Sequence, residues 1–398
     1  MPKRPLRLKS EPKVSTPIKR AKMKGGSDAW RPLQVSCINM RKAAGEMNRE
    51  CLRLPRSAVP QNCRMALDIG GSLAKIAYIV TGKENEDENE AQVHLVTFDI
   101  DQLDSCLIFI KETMSSYNEI RHYAIKATGV GCHKFKEKIT DTLRVGFTMD
   151  DLEMEHLASG MRVLWQFMDK EDLVYPSSNT SGLSFRTSLT ESGMAPFLLV
   201  NLGSAMTCVK VNADGQMSGI VGASTFAGLS FLGLGGLLTS AKNFPDLLKL
   251  AEDGDRNNVD LLVRDTAGES VNYNKTDPDM MVSSFGKAAK YKGSSVKRGF
   301  QEADLASSLL YAVTDNLATQ SYYIAQSQQL KRICFCGTYL SGNSTIMQLL
   351  KSKHDGMGAY LKYEVKSLFM RHEGYLGVLG LLFDDRIPPT TNGDHHHS

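Results

Sequence analysis

Asp68 is the first residue equipped to do chemistry. It lies near the end of an apolar run, Met65-Ala-Leu-Asp68-Ile, and is followed by Gly70, Gly71 and Ser72 and a second apolar run from Leu73 that carries Lys75. Glycines let the backbone turn tightly and aim successive N–H groups outward, which forms a concave anion site. A carboxylate beside such a turn can hold a hydrated magnesium ion that neutralises phosphate oxygens. An ordinary hairpin with a Gly-Gly turn has the same local pattern, so recurrence decides between them. The theme recurs roughly 130 residues later as Phe197-Leu-Leu-Val-Asn-Leu-Gly203-Ser204, again strand, tight turn and strand, with Thr207 beginning the return. A third glycine-bearing strand end, Ile333-Cys-Phe-Cys-Gly337, follows near the C-terminus. Carboxylates able to accept a proton gather at Asp150, Asp151, Glu153 and Glu155. Taken singly, each reads as a solvated carboxylate at a helix start.

These groups need rigid elements to position them. Two strand–turn–strand phosphate hairpins predict two related α/β halves facing a common cleft. Helical spacing is read over 101–117, 243–253, 256–264 and 302–327, and a helix begins near Met149 with Asp150 or Asp151 in its first turn. Residues 83–91 read as an acidic loop tip and 175–195 as a connection. Glycines 374, 377 and 380, three apart, predict close packing of a final helix. The domain reading is a basic disordered tail over 1–62, an N-terminal half over 63–195, a C-terminal half over 196–385 and a short disordered tail over 386–398.

At 398 residues the chain has room for about two domains. Its net charge of +3 hides an asymmetry: residues 1–62 carry 15 Lys and Arg against 4 Asp and Glu, so the remainder carries 3 − 11 = −8. Lys3, Arg4, Arg7 and Lys9, then Lys19, Arg20, Lys22 and Lys24, form two basic clusters. They read as a candidate nuclear-import signal on an otherwise cytoplasmic protein, and the lack of interleaved aromatics argues against nucleic-acid binding. The eight cysteines form no C-x-x-C pair, which fits reduced thiols rather than a disulfide framework. No run reaches the ~18 apolar residues of a membrane span, so no membrane partner is expected.

Three glycine-bearing strand ends in this order resemble the actin-like, hexokinase-like and Hsp70-like ATPases, which clamp ATP between two ribonuclease-H-like halves. Further stretches narrow the likeness: Phe231-Leu-Gly-Leu with Leu237-Leu-Thr, Asn258-Val-Asp-Leu-Leu-Val-Arg-Asp265, Ser283-Ser-Phe-Gly286 and His372-Glu-Gly-Tyr-Leu-Gly377. With the hairpins, these resemble the eukaryotic type II pantothenate kinases, in a divergent branch close to the pantothenate kinase-like members. The resemblance implies ATP- and Mg²⁺-dependent phosphorylation of pantothenate to 4'-phosphopantothenate, the first step of coenzyme A synthesis, by a homodimer with acyl-CoA as feedback inhibitor. It implies Glu153 as catalytic base, Asp68 as nucleotide and metal ligand, and Thr207 as a substrate contact. Gly70, Gly71, Ser72, Lys75, Gly203, Ser204 and Gly337 fall on the nucleotide site.

The same comparison exposes departures. The family's Thr-Gly-Gly-Gly loop reads Thr128-Gly-Val130-Gly131, the second hairpin carries Ala205 where a glycine is usual, and a Gly-Gly-Gly-Thr turn has become Ala227-Gly-Leu-Ser230. The substrate arginine falls on Gly219, and the Lys351–Tyr360 stretch is lengthened. Losing a charge-assisted donor to substrate typically costs a hundredfold or more in rate. A catalytically weak or inactive relative that binds ATP or acyl-CoA in a regulatory role therefore stands as the alternative.

Overall fold

The computed structural model describes residues 46–81, 90–117, 120, 122–167, 175, 195–267, 278–291, 299–340, 343–372 and 374–385. The basic clusters, residues 83–89 of the acidic loop tip expected over 83–91, most of the 175–195 connection and the segment after 385 lie outside these residues; Glu90 and Ala91 begin a strand instead.

The first sheet is built on β2 (Met65–Ile69), whose five residues are all buried. It runs antiparallel to β3 (Leu73–Val80), which pairs with β4 (Glu90–Asp99). Helix α1 (Leu103–Ser116) then crosses to β5 (Ile125–Thr128), parallel to β2. Helices α2 (Val130–Lys134) and α3 (Lys136–Leu143) lead to β6 (Phe147–Met149), parallel to β5. Helix α4 (Glu153–Phe167) leaves this half. The second sheet repeats the plan. Strands β7 (Phe197–Leu202), β8 (Met206–Val211) and β9 (Met217–Ser224) form an antiparallel meander, flanked on the β7 side by two parallel strands described below.

Between meander and parallel strands come α5 (Gly228–Leu238), α6 (Phe244–Glu252), the small ribbon β10 (Leu261–Leu262) with β11 (Met281–Ser283), the short helices α7 (Val263–Ala267) and α8 (Gly286–Lys290), and the long α9 (Glu302–Ser327). Then come β12 (Arg332–Cys336), α10 (Ser344–Leu361), β13 (Lys366–Phe369) and α11 (Leu376–Leu382). With Glu46–Pro55 as the edge strand β1, the sheet orders are β1-β4-β3-β2-β5-β6 and β13-β12-β7-β8-β9. Leaving aside β1, each half has its first strand central, two antiparallel neighbours on one side and two parallel neighbours on the other. That twice-used topology is the pair of ribonuclease-H-like halves expected from the sequence.

Helices α4 and α11 lie between the sheets. Ala66, Ile79 and Leu95 from the first sheet share one core with Leu199, Val209 and Cys334 from the second and with Leu157, Met161, Val378 and Leu382 from the two helices. The helices cross so closely that a methyl at Gly160 would overlap the Leu376 carbonyl, and one at Gly380 would overlap that of His156. This is the tight packing that the final glycine series predicted. The outer faces carry separate cores, against α1 and α3 on one side and α5, α6, α9 and α10 on the other.

Three expectations need correction. The helix expected from Met149 starts at Glu153, because Phe147–Met149 is still strand β6, so Asp150 and Asp151 precede its first turn. The folded body starts before residue 63, because Glu46–Pro55 forms β1, antiparallel to β4, with Cys51, Leu52 and Leu54 buried. Arg49, Arg53, Arg56 and the terminal Pro55 disguise its alternation. The 256–264 helix is a single 3-10 turn (Arg256–Asn258), the edge of the ribbon and the start of α7. Buried Asp260 breaks the helix there, accepting from the backbone N–H of Phe285 at 2.9 Å and pairing with Arg256 at 3.4 Å.

Candidate functional site

The two phosphate hairpins meet tip to tip. Gly70 N–H donates to the Leu73 carbonyl at 2.9 Å and closes the first turn, while Gly203 N–H donates to Ala205 at 3.0 Å and closes the second. The hydroxyls of Ser72 and Ser204 stand 3.5 Å apart. Residues 132 positions apart thus share one site, as the repeat predicted. The N-terminus of α5 sits against the second tip, where Gly228 and Leu229 N–H groups donate to Gly203 and Ser204 carbonyls at 3.1 and 3.2 Å. Gly337 closes the far side at φ +100°, in the left-handed region that favours glycine. A side chain there would strike the Leu202 carbonyl and Asn201. Thr207 is half-buried on β8 opposite Asn201, two positions inside the strand rather than in the turn.

Asp68 forms the floor. It is 7% exposed, pairs in register with Lys75, and its Oδ2 lies 3.6 Å from Lys75 Nζ. Two glycines make room for it: a Cβ at Gly129 would come within 3.0 Å of Oδ1, and one at Gly377 within 3.0 Å of Oδ2. Gly129 adopts φ +92°, and a Cβ at Gly131 would meet the Gly70 carbonyl at 2.8 Å, so α2 is seated on the first hairpin. Val130, the bulky departure in this loop, points outward at 68% exposure and does not fill the site.

Glu153 opens α4 and is half-buried. Burial raises its carboxyl above the ordinary glutamate value, the Asp68 charge adds to the rise, and Lys75 opposes it. Electrostatics therefore joins Glu153, Asp68 and Lys75 into one group. Cys132 lies near the same carboxylates, and burial pushes its thiol up to about 12, so it stays protonated and is no nucleophile. Of the other candidate carboxylates, Asp151 is exposed and pairs with His133 at 2.6 Å. Asp150 faces inward, where its Oδ1 lies 3.4 Å from His156 Nε2 while Asp384 lies 3.7 Å from Nδ1.

No local pattern foretold this last cluster. Asp150, His156 and Asp384 approach within 4.8 Å of one another, but the two carboxylates address opposite nitrogens of one fully buried ring. With Lys126 Nζ donating to the Asp384 carbonyl at 2.5 Å, the arrangement is a buried polar network tying α4 to the residues just after α11. Gly377 was also missed as a site residue. Its place against Asp68 requires the register of α11 across the sheet, and only the three-residue glycine spacing hinted at it.

At Gly219, where an arginine would be expected, φ is +138° and nothing lies within 4 Å of a notional Cβ. Among the described residues, no helix is long and apolar enough to cross a membrane.

The Fumble family model matches residues 64–384, almost all of the described body. The chain belongs to the Fumble, or pantothenate kinase, family. Similar proteins include Arabidopsis thaliana pantothenate kinase 1, 31% identical over 355 residues covering 84% of this chain and 90% of the relative. The Schizosaccharomyces pombe pantothenate kinase is 29% identical over 343 residues, covering 81% and 83%. The mouse 4'-phosphopantetheine phosphatase is 31% identical over 368 residues, covering 85% of this chain but 43% of the mouse protein. The chain thus spans less than half the length of that relative.

Proposed function

We propose that this protein transfers the γ-phosphoryl group of ATP to the primary hydroxyl of pantothenate, giving 4'-phosphopantothenate. The observation that carries the proposal is the meeting of Ser72 and Ser204 across the cleft, with Asp68, Lys75 and Glu153 grouped beneath. The hairpin N–H groups and hydroxyls receive the phosphates, and the Gly337 turn borders the nucleotide. A phosphate oxygen accepting from both serine hydroxyls would hold them roughly 4.5 Å apart, given hydrogen bonds of ~2.7 Å. Nucleotide entry therefore parts the tips by about 1 Å. Asp68 would offer a carboxylate to a hydrated Mg²⁺, which when bound would neutralise charge on the phosphate oxygens. Lys75, with its Nζ 3.6 Å from Oδ2, holds that carboxylate in position.

Glu153 accepts the proton of the attacking hydroxyl. Its raised affinity for protons brings it closer to the range in which a carboxylate is an effective base. Thr207 orients the substrate from β8. The halves take residues 46–195 and 196–385, and the cleft between them is the reaction chamber. We further propose a homodimer that buries the apolar outer side of α5, where Leu229, Leu234 and Leu237 are exposed. Acyl-CoA competes at the same cleft, and the protein is cytoplasmic, with nuclear entry through the basic clusters. Incubation with ATP and pantothenate is expected to yield ADP and phosphopantothenate in equal amounts. A purified protein that binds ATP yet forms neither product would overturn the proposal.

One observation favours a second reading. Gly219 carries no side chain where the resemblance places the substrate arginine, which suits a protein that binds ATP or acyl-CoA without turnover. Ligand-induced thermal stabilisation with no product would select it.

A further inference from the structure

We propose that β1 latches the candidate site and that Glu50 is its positioning residue. This inference rests on the kinase reading for its consequence, though not for its geometry. The strand precedes the stretch that the family model matches, 64–384, and pairs along its length with β4. Its inward-facing polar residues reach the far end of the chain. The Glu50 carboxylate pairs with Nδ1 of His372, whose side chain is almost fully buried. Asn48 stands opposite Thr97 in register, and both engage the phenol of Tyr375, Thr97 Oγ1 donating to it at 2.8 Å.

These contacts grip the short run that leads from the second sheet into α11. Met370 N–H still donates to Phe335 of β12 at 3.0 Å, so the run begins on the C-terminal half. His372 adopts φ +56°, a conformation a histidine seldom takes unless its surroundings hold it. Tyr375 N–H returns to the His372 carbonyl at 2.9 Å, and α11 starts at the next residue. Gly377 then stands against Asp68 Oδ2. The chain of contact runs from Glu50 through His372 and Tyr375 to the floor of the phosphate site. Releasing Glu50 frees the His372 turn, lets α11 shift along Asp68 and loosens the grip on nucleotide phosphates.

The test uses the full chain with Glu50→Ala and Glu50→Gln, the second able to keep a hydrogen bond to the imidazole. Hydrogen exchange is followed over 366–385 and over α1, which lies on the outer face of the first sheet, and Mg·ATP affinity is measured by calorimetry. Glu50→Ala is expected to speed exchange in 370–382 roughly tenfold, the scale of a lost buried hydrogen bond to a charged group, with α1 unchanged. ATP affinity should fall by a similar factor, and Glu50→Gln should recover most of both. Unchanged exchange in 370–382, or equal acceleration in α1, would overturn the latch. If the wild-type chain binds no ATP, the kinase reading fails, and the exchange pattern still decides the latch.

Discussion

Gly160→Ala should destabilise the protein although alanine is the better helix former. In an exposed helix interior the change stabilises by up to ~1 kcal/mol. At Gly160 the new methyl would overlap the Leu376 carbonyl and crowd its Cα and carbonyl carbon. Backbone cannot rotate away as a flexible side chain can, so α4 and α11 must separate by an appreciable fraction of a bond length. Overpacking of this kind costs about 1–3 kcal/mol or more, and the helix gain offsets only part of it. The expected net loss is about 1–2 kcal/mol. Gly356 supplies the control: it lies exposed within α10 with nothing within 4 Å of a Cβ, so Gly356→Ala should stabilise by up to ~1 kcal/mol. Urea unfolding at constant slope measures both. Because α11 carries Gly377 to Asp68, Gly160→Ala should also weaken ATP binding, whereas Gly356→Ala should not. A Gly160→Ala protein as stable as wild type would refute the close helix crossing.

Lys75→Ala removes the charge that lowers the Glu153 carboxyl, so the acid limb of kcat/KM should move to higher pH; an unmoved limb would separate Lys75 from Glu153. The folded state holds the Glu153 proton above its ordinary value of 4.5, so this group's contribution to stability is full below that value and declines as pH rises through the interval above it. Gly129→Ala forces a left-handed backbone and a methyl against the Ile69 carbonyl, and should abolish ATP binding or cost several kcal/mol of stability. Leu237→Glu on exposed α5 should yield a monomer by sedimentation if that face is the dimer interface.

Much of this was legible because strand–turn–strand hairpins are local. Asp68 and Lys75 face each other through hairpin register alone, and the recurrence at Gly203 foretold the doubled topology that the sheets display. The Ser72–Ser204 approach follows once two such hairpins face one cleft. What stayed hidden depends on distant packing. Strand β1 carries arginines on a half-exposed edge, so its buried residues did not stand out from a basic tail. The His156 network draws on β6, α4 and the chain end, three segments with no shared local pattern. Asp260 ended the expected helix at 256–264 because its partners, Phe285 and Ser308, are remote in sequence.

The central claim is that Glu153 serves as base to a phosphoryl group held by the paired hairpins. Its most direct test is mass-spectrometric detection of phosphopantothenate formed from ATP by wild-type and Glu153→Gln proteins, each first shown to bind Mg·ATP. The account predicts product from the wild type, a loss of roughly a hundredfold or more in kcat for Glu153→Gln, and unchanged nucleotide affinity. Equal rates for the two proteins, or no product from a folded, ATP-binding wild type, would contradict it.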